Sequence, residues 1–192
     1  MIKDLKKLHC ERSWFVAVFS PLSREMIDVE ANRPSLFFKM SMGGKIQLFE
    51  DKSRARLLIE LRKPSVMGFT WDIFDTDGQD KKLATIHWEM MKSAMKFGAE
   101  NWTINGPDGG VFLALETEGD SAAKRLLDNM SGLYNPTHKY VLKATDGKLV
   151  ATFAIKHGLF KAYYDFSFEG GTEDQKKVAL AVFAAIIAML RK

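Results

Sequence analysis

The stretch VALAVFAAIIAML, residues 178–190, contains thirteen apolar residues in a row. As a helix with a rise of about 1.5 Å per residue it is roughly 20 Å long, well short of the hydrocarbon core of a bilayer, which is about 30 Å thick. A helix that is apolar on one face packs on a sheet, but this one is apolar on every face and requires burial on every side. The stretch therefore predicts a core helix enclosed by a sheet rather than a membrane anchor.

The start of this helix is marked by a capping box. Thr172 is followed three residues later by Gln175, and each side chain is placed to bond the other's backbone N–H. Glu173 and Asp174 then lie in the first turn, where the helix dipole favours negative charge. We expect the helix to begin directly after Thr172.

An octet that begins with an aromatic residue and ends with a turn pair recurs along the chain. It reads WDIFDTDG at 71–78, WTINGPDG at 102–109 and YVLKATDG at 140–147, with looser copies at 37–44 and 164–171. An aliphatic residue two places after each aromatic puts both side chains on one face of a strand. Asp-Gly supplies the positive φ angles of a tight hairpin. The repeat therefore predicts strands joined by tight turns.

Six further segments are predicted as strands, because apolar and polar residues alternate along them and β-branched residues are frequent. Together with the octets they bring the prediction to about a dozen short strands. So many short strands in one chain are typical of a β-sandwich or a β-barrel, and a helix that must be buried on every side favours the barrel. A second helix is predicted at 121–130, and we expect one domain over 1–192. The additional strands are predicted at 13–19, 25–30, 55–61, 82–88, 110–117 and 148–156.

The order of these motifs resembles the tubby C-terminal-like superfamily, and most closely its LURP-one-related and phospholipid scramblase-like members. The resemblance rests on WDIFDTDG, KYVLKATDGKLVATFAIK and YYDFSFEGGTEDQKKVALAVFAAIIAML, and it covers most of residues 35–192. It implies a mainly β fold: a closed antiparallel barrel of about twelve strands around a central hydrophobic C-terminal α-helix. It also implies mostly non-enzymatic roles, such as phosphoinositide binding and lipid scrambling.

The charge balance is mildly basic. The 192 residues include 28 Lys and Arg against 24 Asp and Glu, a formal charge of +4, with no basic block of the kind that indicates nucleic acid binding. The N-terminal residues are too charged for a secretory signal, and the single Cys10 favours a reducing compartment. We expect a cytoplasmic protein, in part peripheral at membranes, with no stable transmembrane segment.

Two segments are candidates for contact with an anionic membrane. Residues 87–97, HWEMMKSAMKF, carry apolar residues and lysines at helical spacing, although packing at the barrel edge is the favoured interpretation. Residues 1–12 place Ile2, Leu5 and Leu8 on one helical stripe, which would touch lipid or cap the barrel. The basic residues that we nominate as a binding surface are Arg54, Arg56, Arg62, Lys63, Lys92 and Lys96.

Motifs for catalysis and metal binding are not found. The four histidines have no metal spacing, and the sequence contains no nucleophile elbow, phosphate loop or dinucleotide fingerprint. The acidic run Asp75, Asp77, Asp80 resembles part of a calcium loop but lacks the distal ligands, so a hairpin turn is the better interpretation. We expect no catalytic residue, metal or cofactor.

These observations favour a non-enzymatic LURP-one-related or scramblase-like module. It would bind an anionic phospholipid, such as a phosphoinositide or phosphatidylserine, or a protein partner. Two alternatives stay open: lipid translocation, in which the terminal helix leaves the barrel, and an enzyme with an unrecognised site.

Overall fold

Twelve antiparallel strands close into one barrel in the computed structural model, which describes residues 2–13, 23–41, 44–65, 69–77, 80–88, 102–118, 137–157 and 161–189. Each strand pairs with its neighbours in sequence, and the first strand pairs with the last to complete the wall. The predicted fold class is confirmed. The elements are a 3₁₀ turn η1 (Ile2–Asp4), β1 (Lys7–Ser13), β2 (Ser23–Asp28), β3 (Arg33–Met40), β4 (Ile46–Phe49), β5 (Leu57–Arg62), β6 (Thr70–Asp75), β7 (Lys81–Trp88), β8 (Trp102–Asn105), β9 (Val111–Glu118), β10 (Thr137–Ala144), β11 (Leu149–His157), β12 (Lys161–Phe168) and α1 (Glu173–Met189).

Alternation along the strands points the octet residues inward, as the repeat predicts. The aromatic and the aliphatic residue of each full octet share the interior face of their strand. All six are buried: Trp71, Ile73, Trp102, Ile104, Tyr140 and Leu142.

The Asp-Gly hairpins use one left-handed residue rather than two. Gly147 has a φ of 81° and its N–H donates to the Ala144 carbonyl at 2.9 Å, whereas Asp146 is not among the residues with positive φ. Asp146 instead accepts a hydrogen bond from the Lys148 N–H at 3.1 Å. This is the pattern of a three-residue loop with a glycine bulge, so the tight hairpin forms as expected but only the glycine, and not the aspartate, supplies a positive φ. The turn at Gly109 follows the same pattern, with a φ of 83°.

The terminal helix begins where the capping box predicts. The Thr172 N–H donates to Gln175 Oε1 at 2.9 Å, and the Gln175 N–H donates to Thr172 Oγ1 at 3.3 Å. Gly171 precedes the cap with a φ of 88°, and a Cβ there would lie 3.0 Å from Gln175 Oε1. A glycine is therefore required where the chain leaves β12 and turns into the barrel.

The barrel encloses the helix on all sides. Every residue from Val178 to Ala188 is at most 2% exposed, and the helix packs against β4 to β7, β11 and η1. Phe183 lies at ring-centroid distances of 5.4 Å from Phe153 and 5.0 Å from Phe166. No helix among the described residues has the length and apolarity needed to cross a membrane.

One ion pair fixes the polar start of the helix to the wall. Lys177 Nζ lies 2.7 Å from Asp75 Oδ2 and 3.3 Å from Glu173 Oε1, and its side chain is only 9% exposed. Burial by itself would lower the pKa of Lys177, but these two carboxylates outweigh burial and raise the pKa above its usual value. The lysine is therefore charged at neutral pH and sets how far α1 extends into the barrel.

The N-terminal segment is a strand where a helical stripe was predicted. Helical geometry ends at Asp4, and β1 pairs with β12 from Lys7↔Ser167 to Ser13↔Lys161. This pairing overrides the local pattern, because without β1 the edges of β2 and β12 would stay open. Ile2 and Leu5 are each 4% exposed and η1 contacts α1, which agrees with the capping interpretation.

The two ends of the barrel differ in their connections. We call one the turn end, because the short turns 29–32, 50–56, 106–110 and 145–148, the end of β6, the beginning of β7 and the start of α1 lie there. We call the other the loop end, because the strands that flank the longer connections 14–22, 89–101 and 119–136 terminate there. The helix predicted at 121–130 and residues 14–19 of the strand predicted at 13–19 lie outside the described residues.

We expect Ile187→Asp to abolish folding. Ile187 is fully buried in α1, and an unpaired buried carboxylate costs several kcal/mol against a total stability of about 5–15 kcal/mol. Circular dichroism and denaturant unfolding measure this. Ile27→Asp is the control, because Ile27 is 39% exposed on β2, and it should unfold cooperatively at close to the wild-type midpoint. A soluble, cooperatively folded Ile187→Asp protein would contradict enclosure of the helix.

Candidate functional site

The backbones of the four described residues of the nominated basic surface lie at the two ends of β5: Arg54 and Arg56 precede the strand at the turn end, and Arg62 and Lys63 lie where it finishes, at the loop end. The structure nevertheless brings the guanidinium groups of Arg56 and Arg62 to one connection, because they bind Asp77 and Asp80 between β6 and β7. Lys92 and Lys96 lie outside the described residues, so their place in the predicted surface stays a prediction.

Carboxylates neutralise two of these arginines. Arg56 Nη2 lies 2.7 Å from Asp77 Oδ2, and Arg62 Nη1 donates to Asp80 Oδ2 at 3.0 Å. Together with the Asp75–Lys177 pair, each carboxylate of the acidic run therefore has a cation of the protein as its partner. The run forms the β6–β7 turn, as the hairpin interpretation predicted.

Arg54 covers an aromatic pair on the outside of the barrel. Its backbone is left-handed with a φ of 61°, and its guanidinium carbon lies 5.2 Å from the Phe37 ring centroid. Phe37 and Phe49 are cross-strand partners with ring centroids 6.5 Å apart, and they are only 5% and 8% exposed. The cation–π contact means that Arg54 stabilises the packing of these two rings on the outer face of the barrel.

Glu60 forms a compact polar network on the outer wall. Its side chain is 5% exposed, and it accepts from Lys45 Nζ at 2.6 Å and Gln47 Nε2 at 2.8 Å, with Arg62 as a third partner. Burial would raise the pKa of the Glu60 carboxyl, but the hydrogen bonds from Lys45, Arg62 and Gln47 lower it below its ordinary value of 4.5. Arg62 contacts two carboxylates, because it binds Glu60 and also donates to Asp80.

Lys63 is different because its ammonium group faces aromatic rings. Its Nζ lies 5.2 Å from the Trp71 ring centroid and 5.8 Å from that of Phe69, and it has no ion pair among the described residues. The Trp71 indole N–H donates to the Gly44 carbonyl at 3.0 Å, which fixes the ring. Within the described part of the loop end, Lys63 therefore contacts aromatic rings rather than a carboxylate.

Two more tryptophans extend this aromatic cluster. Trp88 makes an edge contact with Phe69 at 5.0 Å and stacks on Trp102 at 5.9 Å between ring centroids. The Trp88 indole N–H is buried and has no hydrogen-bond partner in the described part of the chain. Trp88 and Trp102 are also the strand residues between which the connection that carries Lys92 and Lys96 runs.

A shallow depression on the wall of β10, β11 and β12 was missed at the sequence level. Its volume is about 240 Å³, and Lys139 and Asp165 lie on its two sides. Asp165 Oδ1 lies 2.7 Å from His9 Nδ1, and Asp165 Oδ2 accepts from Lys156 Nζ at 3.0 Å. The only signal in the sequence is the row of small outward residues on these strands, which becomes visible once the register is known.

The described residues do not form a metal centre: no group of three or more His, Cys, Asp or Glu side chains converges within them. Cys10 is buried in β1, and burial raises the pKa of its thiol to about 12. A protonated, enclosed thiol is a poor nucleophile.

The fold and these sites define a closed antiparallel barrel with a central C-terminal helix and a charged, partly aromatic exterior. No protein-family model matches the chain. No curated protein and no solved structure matches it either.

We expect the Glu60 network to make stability depend on pH. Because the folded pKa is depressed, its contribution is complete above the unfolded pKa of about 4.5 and is lost as the pH falls through the folded value. Glu60→Gln should flatten the decline in unfolding free energy below about pH 5. The measurement is urea unfolding across that range.

Glu30→Gln is the matched control, since it removes an exposed carboxylate that pairs with Lys6 at 3.3 Å. It should leave the decline of the wild-type protein in place. Equal slopes for the wild-type protein and Glu60→Gln would contradict a stabilising role of the network in acid.

Proposed function

We propose that this protein is a non-enzymatic binding module of the tubby-like kind, akin to LURP-one-related and scramblase-like proteins. In this proposal its loop end docks on an anionic phospholipid surface containing phosphatidylserine or a phosphoinositide. The observation that carries the proposal is Lys63, a cation without a carboxylate partner among the described residues, set on the aromatic cluster of Trp71 and Phe69.

Because the helix fills the interior of the barrel, we expect a binding surface on the outside of the barrel. Residues 178–188 occupy the centre of the barrel, so the described strands have their inner faces covered by the helix. A partner therefore meets outward-facing side chains or the barrel ends. At the loop end, Lys63 has no ion pair among the described residues, which leaves its ammonium group available to an anionic partner.

The residue types at the loop end suit a membrane interface. Lysine extends an apolar stem that places its ammonium group in the headgroup region, and the buried rings of Trp71 and Phe69 support the Lys63 side chain from below. Of the predicted amphipathic segment 87–97, His87 and Trp88 are the last residues of β7 and the rest lies outside the described residues, and in this proposal that remainder adds Lys92 and Lys96 to the docking surface.

Docking with the helix in place is favoured over lipid translocation by a released helix. Release would expose six large apolar side chains of α1, each worth about 1.5–3 kcal/mol when buried, or roughly 10 kcal/mol in all. It would also break the Asp75–Lys177 pair at 2.7 Å. We therefore propose a cytoplasmic protein, peripheral at membranes, whose barrel stays closed.

Vesicle flotation at low salt tests the proposal. The wild-type protein should float with phosphatidylcholine vesicles that contain phosphatidylserine or phosphoinositide, float poorly with phosphatidylcholine alone, and dissociate as salt rises. Lys92→Glu with Lys96→Glu should weaken binding strongly. A basic residue near an anionic surface contributes about 1 kcal/mol, so loss of the two attractions weakens binding roughly thirtyfold, and the reversed charges add repulsion to that loss.

The control is Arg33→Glu with Lys52→Glu, two exposed basic residues at the turn end. It changes the net charge by the same amount and should float almost as well as the wild-type protein. Equal loss in both double variants would contradict docking through the loop end. Failure of the wild-type protein to float with any anionic vesicle would reject lipid binding and favour a protein partner.

A further inference from the structure

Gly44, in the turn between β3 and β4, lies against the side chain of Lys63 at the loop end of the barrel. A Cβ on Gly44 would lie 3.0 Å from Lys63 Cδ, 3.3 Å from Cε and 3.7 Å from Nζ. The stem of the lysine therefore occupies the space that any other residue at position 44 would fill with its own side chain.

The backbone of Gly44 also fixes the ring under the ammonium group. Its carbonyl accepts a hydrogen bond from the Trp71 indole N–H at 3.0 Å, and Trp71 is only 1% exposed. Lys63 Nζ lies 5.2 Å from the centroid of this ring and 5.8 Å from that of Phe69, within the range of about 6 Å for a cation–π contact. One residue thus holds the aromatic ring and leaves room for the lysine that lies on it.

The conformation of the turn ties both contacts to glycine. Gly44 has a φ of 79°, in the left-handed region that a residue with a Cβ adopts only at a cost. The Gly44 N–H donates to the Ser41 carbonyl at 3.0 Å, and the Ser41 N–H donates to the Lys45 carbonyl at 2.9 Å. These hydrogen bonds close the turn and fix the Gly44 backbone beside Lys63.

A lysine held in this way is prepared for an anionic headgroup. Lysine carries a long, flexible stem, and ordering that stem on binding costs conformational entropy. With its stem against Gly44 and its ammonium group over Trp71, Lys63 has lost part of this freedom before a ligand arrives. Its contact with a phosphate or carboxylate oxygen then has a smaller entropic cost.

We propose that Gly44 is a positioning residue for membrane docking, which acts by holding the Lys63 ammonium group over Trp71. This inference rests on the proposed function, because Lys63 is the cation on which that proposal depends. It adds that the anionic headgroup meets a lysine of fixed position rather than a mobile charge. A substitution at residue 44 should therefore weaken binding without changing any charge.

Ring-current shifts of the Lys63 side chain test the positioning without lipid. In the wild-type protein the methylene protons beside Lys63 Nζ should resonate upfield of those of an exposed lysine, because the ammonium group lies over the indole ring. Gly44→Ala should move them toward the exposed value, since the added Cβ displaces the flexible stem and leaves the residue 44 carbonyl in place for Trp71.

Gly147→Ala is the matched control for backbone strain. Gly147 has a φ of 81°, close to that of Gly44, and nothing lies within 4 Å of an added Cβ there. This variant should leave the Lys63 resonances as they are in the wild-type protein.

Vesicle flotation then tests the effect on docking. With phosphatidylcholine vesicles that contain phosphatidylserine, Gly44→Ala should weaken binding about threefold, while Gly147→Ala should bind as the wild-type protein does. Lys63→Met removes the charge, keeps an unbranched side chain on the ring and should weaken binding about fivefold, equivalent to about 1 kcal/mol. Adding Gly44→Ala to Lys63→Met should cause no further loss, because a positioning residue has no effect once the group that it positions is absent.

Gly44→Asn is the second variant if Gly44→Ala does not fold, because asparagine adopts a positive φ more readily and still carries a Cβ. An unchanged Lys63 ring-current shift in the folded variant would overturn the inference, as would a loss of binding that persists in the Lys63→Met background. Unchanged flotation together with a lost ring-current shift would overturn this inference and leave the proposed function standing. Failure of the wild-type protein to float with anionic vesicles would overturn both.

Discussion

A helix that is apolar on every face is the constraint on which this structure depends. Such a helix is stable in water only if other parts of the chain cover its whole circumference. The barrel meets this requirement by pairing β1 with β12, so that the sheet has no edge and α1 is at most 2% exposed from Val178 to Ala188. Helix and wall therefore depend on each other: neither has a complete core alone.

The position of the helix along the barrel axis is set by polar groups at its start. Apolar contacts tolerate sliding, whereas the reciprocal hydrogen bonds of Thr172 and Gln175 and the Asp75–Lys177 pair are satisfied in one position only. The pair joins α1 to the β6–β7 turn, where Asp77 and Asp80 bind Arg56 and Arg62. One acidic turn thus fixes the helix and neutralises two cations that the sequence suggested were available for binding.

The consequence for function is that binding surfaces lie outside the barrel. Most charged side chains on the outer wall form ion pairs. Among the described residues, the cations without such a partner include Lys63 at the loop end and Lys139 beside the depression. Net charge alone does not reveal this, because it counts Arg56 and Lys63 equally. Local pairing decides which charge a ligand meets.

Much of the fold was predictable because it depends on local patterns. The octets fix strands and turns by period two and by glycine, and the capping box fixes the start of α1. The N-terminal segment was predicted wrongly, since the pairing of Lys7 to Ser13 with β12 depends on residues more than 140 positions away. The depression on β10, β11 and β12 was missed because it depends on the register of three strands. The partners of Arg62 are nearer in sequence, at Glu60 and Asp80, but the sequence does not show which carboxylate a given arginine meets.

Native-state hydrogen exchange of the amides in α1 tests most directly whether the helix is a permanent core. If it is, the amides of Val178 to Ala188 should exchange only by global unfolding, with the same opening free energy as denaturant unfolding gives, and anionic vesicles should not speed their exchange. Exchange of these amides through a smaller opening, or faster exchange when vesicles are added, would contradict the account and show that the helix leaves the barrel.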